Sequence, residues 1–122
     1  MLWLFFPFKF LNYNNFMNLD CREELVLKQY MPNASVVKNI TDFFYAFSDA
    51  TRLKIIMLLT IKAFCVGEIS AVLNINQTTV SHQLKILKSL NIVESDRKGK
   101  NIIYYIKNNN IQNVLNATVE CV

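Results

Sequence analysis

Apolar positions along this chain recur at helical spacing over most of its length and at strand-like spacing in one short region. Residues 20–29 (DCREELVLKQ) predict a short helix that starts near Leu19 or Asp20, with acids in its first turn. Met31-Pro32-Asn33 breaks it. Ser35 is the expected N-cap of a second helix, with Val36, Val37, Ile40, Phe43, Phe44 and Phe47 along one stripe. Ser48-Asp49 caps a third, from Ala50 to about Lys62, whose buried side is expected to carry Leu53, Ile56, Met57 and Leu59 to Ile61. Phe64-Cys65-Val66-Gly67 leads into a fourth helix over Glu68 to Leu73. Asn74 to Gln77 forms a turn, with Ile75 filling the angle, and a fifth helix begins at Gln77 or Thr78. Leu90 to Val93 closes that helix and opens a strand. Asn101 to Lys107 (NIIYYIK) is the returning strand, and Gly99 supplies the positive φ of the hairpin turn. A last helix runs from Ile111 to about Cys121.

The fifth helix has two unlike faces. Val80, Leu84 and Leu87 repeat at helical spacing on one side. Thr78, His82, Lys85 and Ser89 stand opposite, offering hydroxyl, imidazole and ammonium groups and no acid. Such a face suits the edge of a nucleic-acid groove. Arg97-Lys98-Gly99-Lys100-Asn101 follows as a basic turn between two apolar runs. The fold class expected is mainly α with a small β-hairpin, a winged helix-turn-helix. Its first and last helices have little to pack against in so small a body. A homodimer joined through these N- and C-terminal helices would cover their apolar stripes.

Charge sharpens this reading. The formal net charge is +4. From Gln77 to Lys107 there are six basic residues (Lys85, Lys88, Arg97, Lys98, Lys100, Lys107) against Glu94 and Asp96, so this window holds the whole excess. The rest of the chain is balanced. A basic patch that coincides with a helix-plus-hairpin motif points to a polyanion as partner. With 122 residues, one domain is expected, and an apolar content of 52% excludes wholesale disorder. Only 2 Gly and 2 Pro favour long helices over a turn-rich β protein.

Three cysteines, Cys21, Cys65 and Cys121, are odd in number and widely spaced, so free thiols in a reducing compartment are expected rather than a disulfide scaffold. Residues 1–11 (MLWLFFPFKFL) are apolar but fall short of the roughly 20 needed to cross a bilayer. Residues 1–17 are therefore read as an extension outside the fold, with Met17 a candidate start, and 18–122 as the DNA-binding domain. No membrane partner is expected. The abundance of Phe, Ile, Asn, Lys and Tyr matches AT-rich coding DNA, so the expected location is the cytoplasm, or the stroma of an AT-rich plastid. An enzyme is not expected: no nucleophile is paired with a base, there is no Gly-rich phosphate loop, and the only histidine lies on the basic face.

Four words in order carry a family resemblance. They are residues 47–56 (FSDATRLKII), 64–69 (FCVGEI), 80–87 (VSHQLKIL) and 99–105 (GKNIIYY). Together they resemble the ArsR/SmtB family of bacterial metal-responsive repressors over about Cys21 to Cys121. The family's usual Pro after the Asp is Ala50 here. The resemblance implies a homodimer that binds the two half-sites of a palindromic double-stranded DNA operator, represses transcription and leaves DNA when metal binds. A dimer would set two recognition helices about one DNA turn apart. The candidate DNA contacts are Gln77, Thr78, Thr79, Ser81, His82, Gln83 and Lys85 in the major groove or on its phosphates. Arg97, Lys98 and Lys100 would touch backbone or minor groove. His82 has no Cys, Asp or Glu at ligand spacing, so it is read as a DNA contact.

The resemblance also implies a metal site led by Cys65, with Glu68 at an acidic ligand position and Cys21 at that of an N-terminal thiolate. Where a second Cys stands in some members this chain has Gly67, and where the zinc-responsive branch has a further His it has Leu25. Two thiolates and a carboxylate suit zinc, or a softer thiophilic ion such as cadmium, lead or copper. The family's other zinc site, across the C-terminal helices, meets only Asn108 and Asn110 here, and neutral amides bind zinc weakly. Each donor also has a bland reading: Cys65 as a small buried apolar group, Glu68 as a first-turn acid, Cys21 as a thiol with no role. The alternatives kept beside metal release are a thiol-redox response, in which Cys21 and Cys65 pair, and a DNA-binding regulator that senses no ligand.

Overall fold

The structure is a computed structural model, and it describes residues 19–122. The expected extension, residues 1–17, lies outside the described residues. The chain divides after Asn33, and the two units are taken separately.

The first unit contributes α1 (Cys21–Tyr30). Asp20 caps it: its carboxylate accepts from the backbone N–H of Arg22 and of Glu23, at 2.6 and 2.9 Å. Glu23 returns the favour toward the N–H of Asp20, completing a capping box. No residue of α1 is buried, and Leu25, Val26, Leu27 and Tyr30 are exposed.

The second unit holds α2 (Ala34–Phe47), α3 (Ala50–Leu59), β1 (Phe64–Cys65), α4 (Val66–Leu73), α5 (Gln77–Ser89), β2 (Val93–Lys98), β3 (Asn101–Ile106) and α6 (Ile111–Cys121). The sheet is antiparallel in the order β1-β3-β2. Its third strand, β1, was not expected; two residues are too few to show an alternation, and they are recruited by pairing Phe64 with Tyr104 and Cys65 with Ile103. The hairpin is as expected. Lys98 pairs with Asn101 across a two-residue turn, and Gly99 takes φ +62°.

Helix limits differ from expectation in three places. α2 begins at Ala34, which puts Ser35 inside the helix rather than at its cap. α3 stops at Leu59, where Thr60 closes the last turn by donating its hydroxyl to the carbonyl of Met57 at 2.6 Å, and the chain then enters β1. α4 starts at Val66, two residues earlier than expected, because Glu68 caps it from within. The buried side of α3 also differs. Arg52, Ile55, Ile56 and Leu59 face inward, whereas Met57 and Ile61 are exposed.

The core joins Ala46 of α2, Ile55, Ile56 and Leu59 of α3, Ile69 of α4, Val80, Leu84 and Leu87 of α5, Val93 of β2 and Ile111 of α6. Three fully buried side chains on α5 hold this helix to the body, each contributing about 1.5–3 kcal/mol. Asn74 adopts a left-handed φ of 52° at the end of α4, and the hydroxyl of Ser70 donates to the carbonyl of Ile75, so the turn into α5 is sharp. Ile75 packs against the core there, as expected. Among the described residues no helix is long and apolar enough to cross a membrane.

Candidate nucleic-acid interface

α5 is capped by Asn76, whose side chain accepts from the N–H of Thr78 at 2.7 Å. Its apolar side is consumed by the core, which obliges the other side to face water. Gln77, Thr78, Thr79, Ser81, His82 and Lys85 are all exposed. Six of the seven helix positions named from the sequence thus share one accessible surface. The first-turn residues Gln77, Thr78 and Thr79 also lie where backbone N–H groups and the helix dipole attract phosphate.

Gln83 is the exception. It is half-buried, and its side-chain oxygen accepts from Nη1 of Arg52 at 3.2 Å. Arg52 was not among the residues singled out from the sequence. Its partner lies 31 positions along the chain, a separation that no periodicity reveals.

The hairpin carries the rest of the charge. Arg97, Lys98 and Lys100 are exposed at its tip, and Nε of Arg97 donates to the carbonyl of Gly99 at 3.3 Å, inside the turn itself. Among the described residues neither these three nor Lys85 forms an ion pair. Lys88 is different. Its ammonium donates to the Ser95 hydroxyl at 2.7 Å and sits 3.3 Å from the Glu94 carboxylate, so it ties α5 to β2. The backbone N–H of Ser95 and the Lys88 ammonium hold the Glu94 carboxyl below its usual range. Tyr105, opposite Glu94 in register, has its phenol pushed up by loss of hydration and by the carboxylates of Asp96 and Glu94.

Cys65 and Glu68 lie one turn apart at the start of α4. The Glu68 carboxylate accepts from the backbone N–H of Cys65 at 2.9 Å. That bond, then a bond to the Cys65 thiol, holds the Glu68 carboxyl below its ordinary value, with Lys62 assisting. Cys65 is half-buried; Cys21 and Cys121 are exposed, and all three are free thiols. Among the described residues no three His, Cys, Asp or Glu side chains gather as a metal cluster. A thiol and a carboxylate one turn apart are two of the four donors a tetrahedral ion would need.

Residues 49–95 match the model for "Bacterial regulatory protein, arsR family". The chain is 37% identical over 82 residues to the cadmium resistance transcriptional regulatory protein CadC of Listeria innocua, covering 66% of this chain and 69% of that one. The chain belongs to the ArsR/SmtB family of winged helix-turn-helix transcriptional regulators. This family consists of regulators rather than enzymes. A transcriptional repressor SmtB homolog of Synechocystis is 32% identical over 77 residues, covering 63% of this chain and 58% of its own length. Among solved structures, the transcriptional repressor BigR from Xylella fastidiosa superposes with a TM-score of 0.64 at 27% identity, covering 84% of this chain and 99% of that chain. The winged helix-turn-helix expected from the sequence is therefore the fold observed.

Proposed function

We propose that the chain is a transcriptional repressor that grips operator DNA as a homodimer and is released by a thiophilic metal ion. The observation that carries the DNA reading is the coincidence of the uncompensated cations Lys85, Arg97, Lys98 and Lys100 with the exposed face of α5 and the hairpin tip. In this reading Gln77, Thr78, Thr79, Ser81 and His82 meet base edges or phosphates in the major groove. Lys85 and the hairpin cations supply phosphate contacts. The dimer is supported by apolar side chains left exposed on three helices: Leu25 and Val26 on α1, Val37, Ile40 and Phe44 on α2, and Val119 on α6.

The metal reading names Cys65 and Glu68, with Cys21 as the second thiolate from the family resemblance. A bound ion would supply charge and a fixed link among its donors. The residues themselves contribute a soft ligand and an anionic one already ionised at neutral pH. The relatives named for cadmium resistance and as an SmtB homolog favour this over a redox response. A mobility-shift titration on the chain's own upstream DNA tests it, comparing zinc, cadmium, copper(I) and chelator. Release by one metal that disappears in Cys65→Ser supports the reading. Release by oxidant alone, without metal, supports the thiol-redox alternative instead.

A further inference from the structure

Among the described residues Arg52 is the one charged side chain that is buried, at 6% exposure. Burying a guanidinium is costly unless its donors are used. Here Nη2 donates to the carbonyl of Tyr45 at 2.9 Å and Nε to that of Ala46 at 3.3 Å. These are carbonyls in the last turn of α2, where the helix dipole favours a cation; that of Tyr45 also accepts from the N–H and hydroxyl of Ser48, at 3.2 and 2.8 Å. The guanidinium carbon also lies 4.7 Å from the centroid of the Tyr45 ring. Nη1, the third nitrogen, donates to the Gln83 side-chain oxygen on α5. A guanidinium has only donors, so the Gln83 amide must keep its oxygen toward Arg52 and its NH₂ turned elsewhere. Farther along, α2 and the C-terminal end of α5 line an open cleft of about 340 Å³, bordered by Asn39, Asp42, Ser89 and Asn91. One side chain of α3 thus links the end of α2 to α5, at a level away from that cleft.

We propose that Arg52 is a positioning residue for DNA reading, acting through Gln83. By tying α5 to the end of α2 it fixes the rotation of the exposed α5 face, and so decides which duplex is preferred rather than how strongly phosphates are held. This inference rests on the DNA-binding reading above.

The test uses the full chain, with Arg52→Lys, Gln83→Met and the double variant. Lysine keeps the charge but cannot serve three acceptors in a fixed plane. Affinity is measured for a duplex enriched from a random pool by the wild-type protein and for a scrambled duplex of equal length. Thermal unfolding is followed without DNA. Each single change is expected to lower the preference for the enriched duplex about tenfold, and the double change to lower it no further, because both remove the Arg52–Gln83 contact. For Arg52→Lys, binding to scrambled DNA and its salt dependence stay as in wild type. A merely structural Arg52 would lower the melting temperature and leave the preference alone, which overturns the proposal. So does a preference unchanged in Gln83→Met, a variant that spares the α2 bonds, or losses that multiply in the double variant. Wild-type protein that binds no duplex overturns the DNA reading itself. That failure is distinguished because the two positions still couple in thermal unfolding.

Discussion

In the proposed DNA-bound state, side chains on the exposed face divide into those that would hold phosphate and those that build the surface. Lys85 is exposed and free of any carboxylate among the described residues. Lys85→Ala is expected to weaken binding to all duplexes alike and to reduce the magnitude of the log–log salt slope by about 1 per protomer. Titrations at several salt concentrations check this. Gly99 takes φ +62° with open space around it, so Gly99→Ala meets backbone strain but no clash. A loss of about 1 kcal/mol in chemical denaturation is expected. Most of this surface was legible in the sequence, because an apolar stripe at Val80, Leu84 and Leu87 dictates what the opposite side must do. The Arg52–Gln83 contact was not legible: an arginine is ordinarily read as surface, and the two residues lie far apart in the chain.

At the scale of elements, α5 is seated by its core stripe and tied to the hairpin by Lys88. Leu84 is fully buried beneath the exposed face, and Leu84→Ala should cost about 2–5 kcal/mol, read by denaturation. Glu94 gives a pH test. Its folded carboxyl lies below the usual value, chiefly through the Ser95 N–H and then Lys88. Its stabilising effect is therefore fully present above the unfolded carboxylate pKa of about 4.3, and is lost as pH falls through the lower folded value. Wild type should melt higher than Glu94→Gln at pH 7, with the gap closing in acid; an equal gap at both ends would count against the Lys88–Glu94–Ser95 tie. The helices and hairpin were readable because their periods are sustained over many residues. β1 was not, since its two residues become a strand only by pairing with β3. The inward side of α3 was misjudged because residues 53–59 (LKIIMLL) are apolar nearly all round, leaving the local pattern with no preferred face.

For the molecule as a whole, apolar side chains exposed on α1, α2 and α6 are what a second copy would cover. Sedimentation should find a dimer, and Phe44→Glu, which places a charge on an exposed aromatic position, should shift it toward monomer while leaving helical content intact. The central claim concerns charge: the whole excess lies on the helix and hairpin, and Lys88 is already engaged with Glu94. The most direct measurement is duplex affinity as a function of ionic strength. A dimer that neutralises about three phosphates per protomer should give a log–log slope on the order of −5. Affinity that is flat between low and high salt would contradict the account, whatever the melting temperature or oligomeric state.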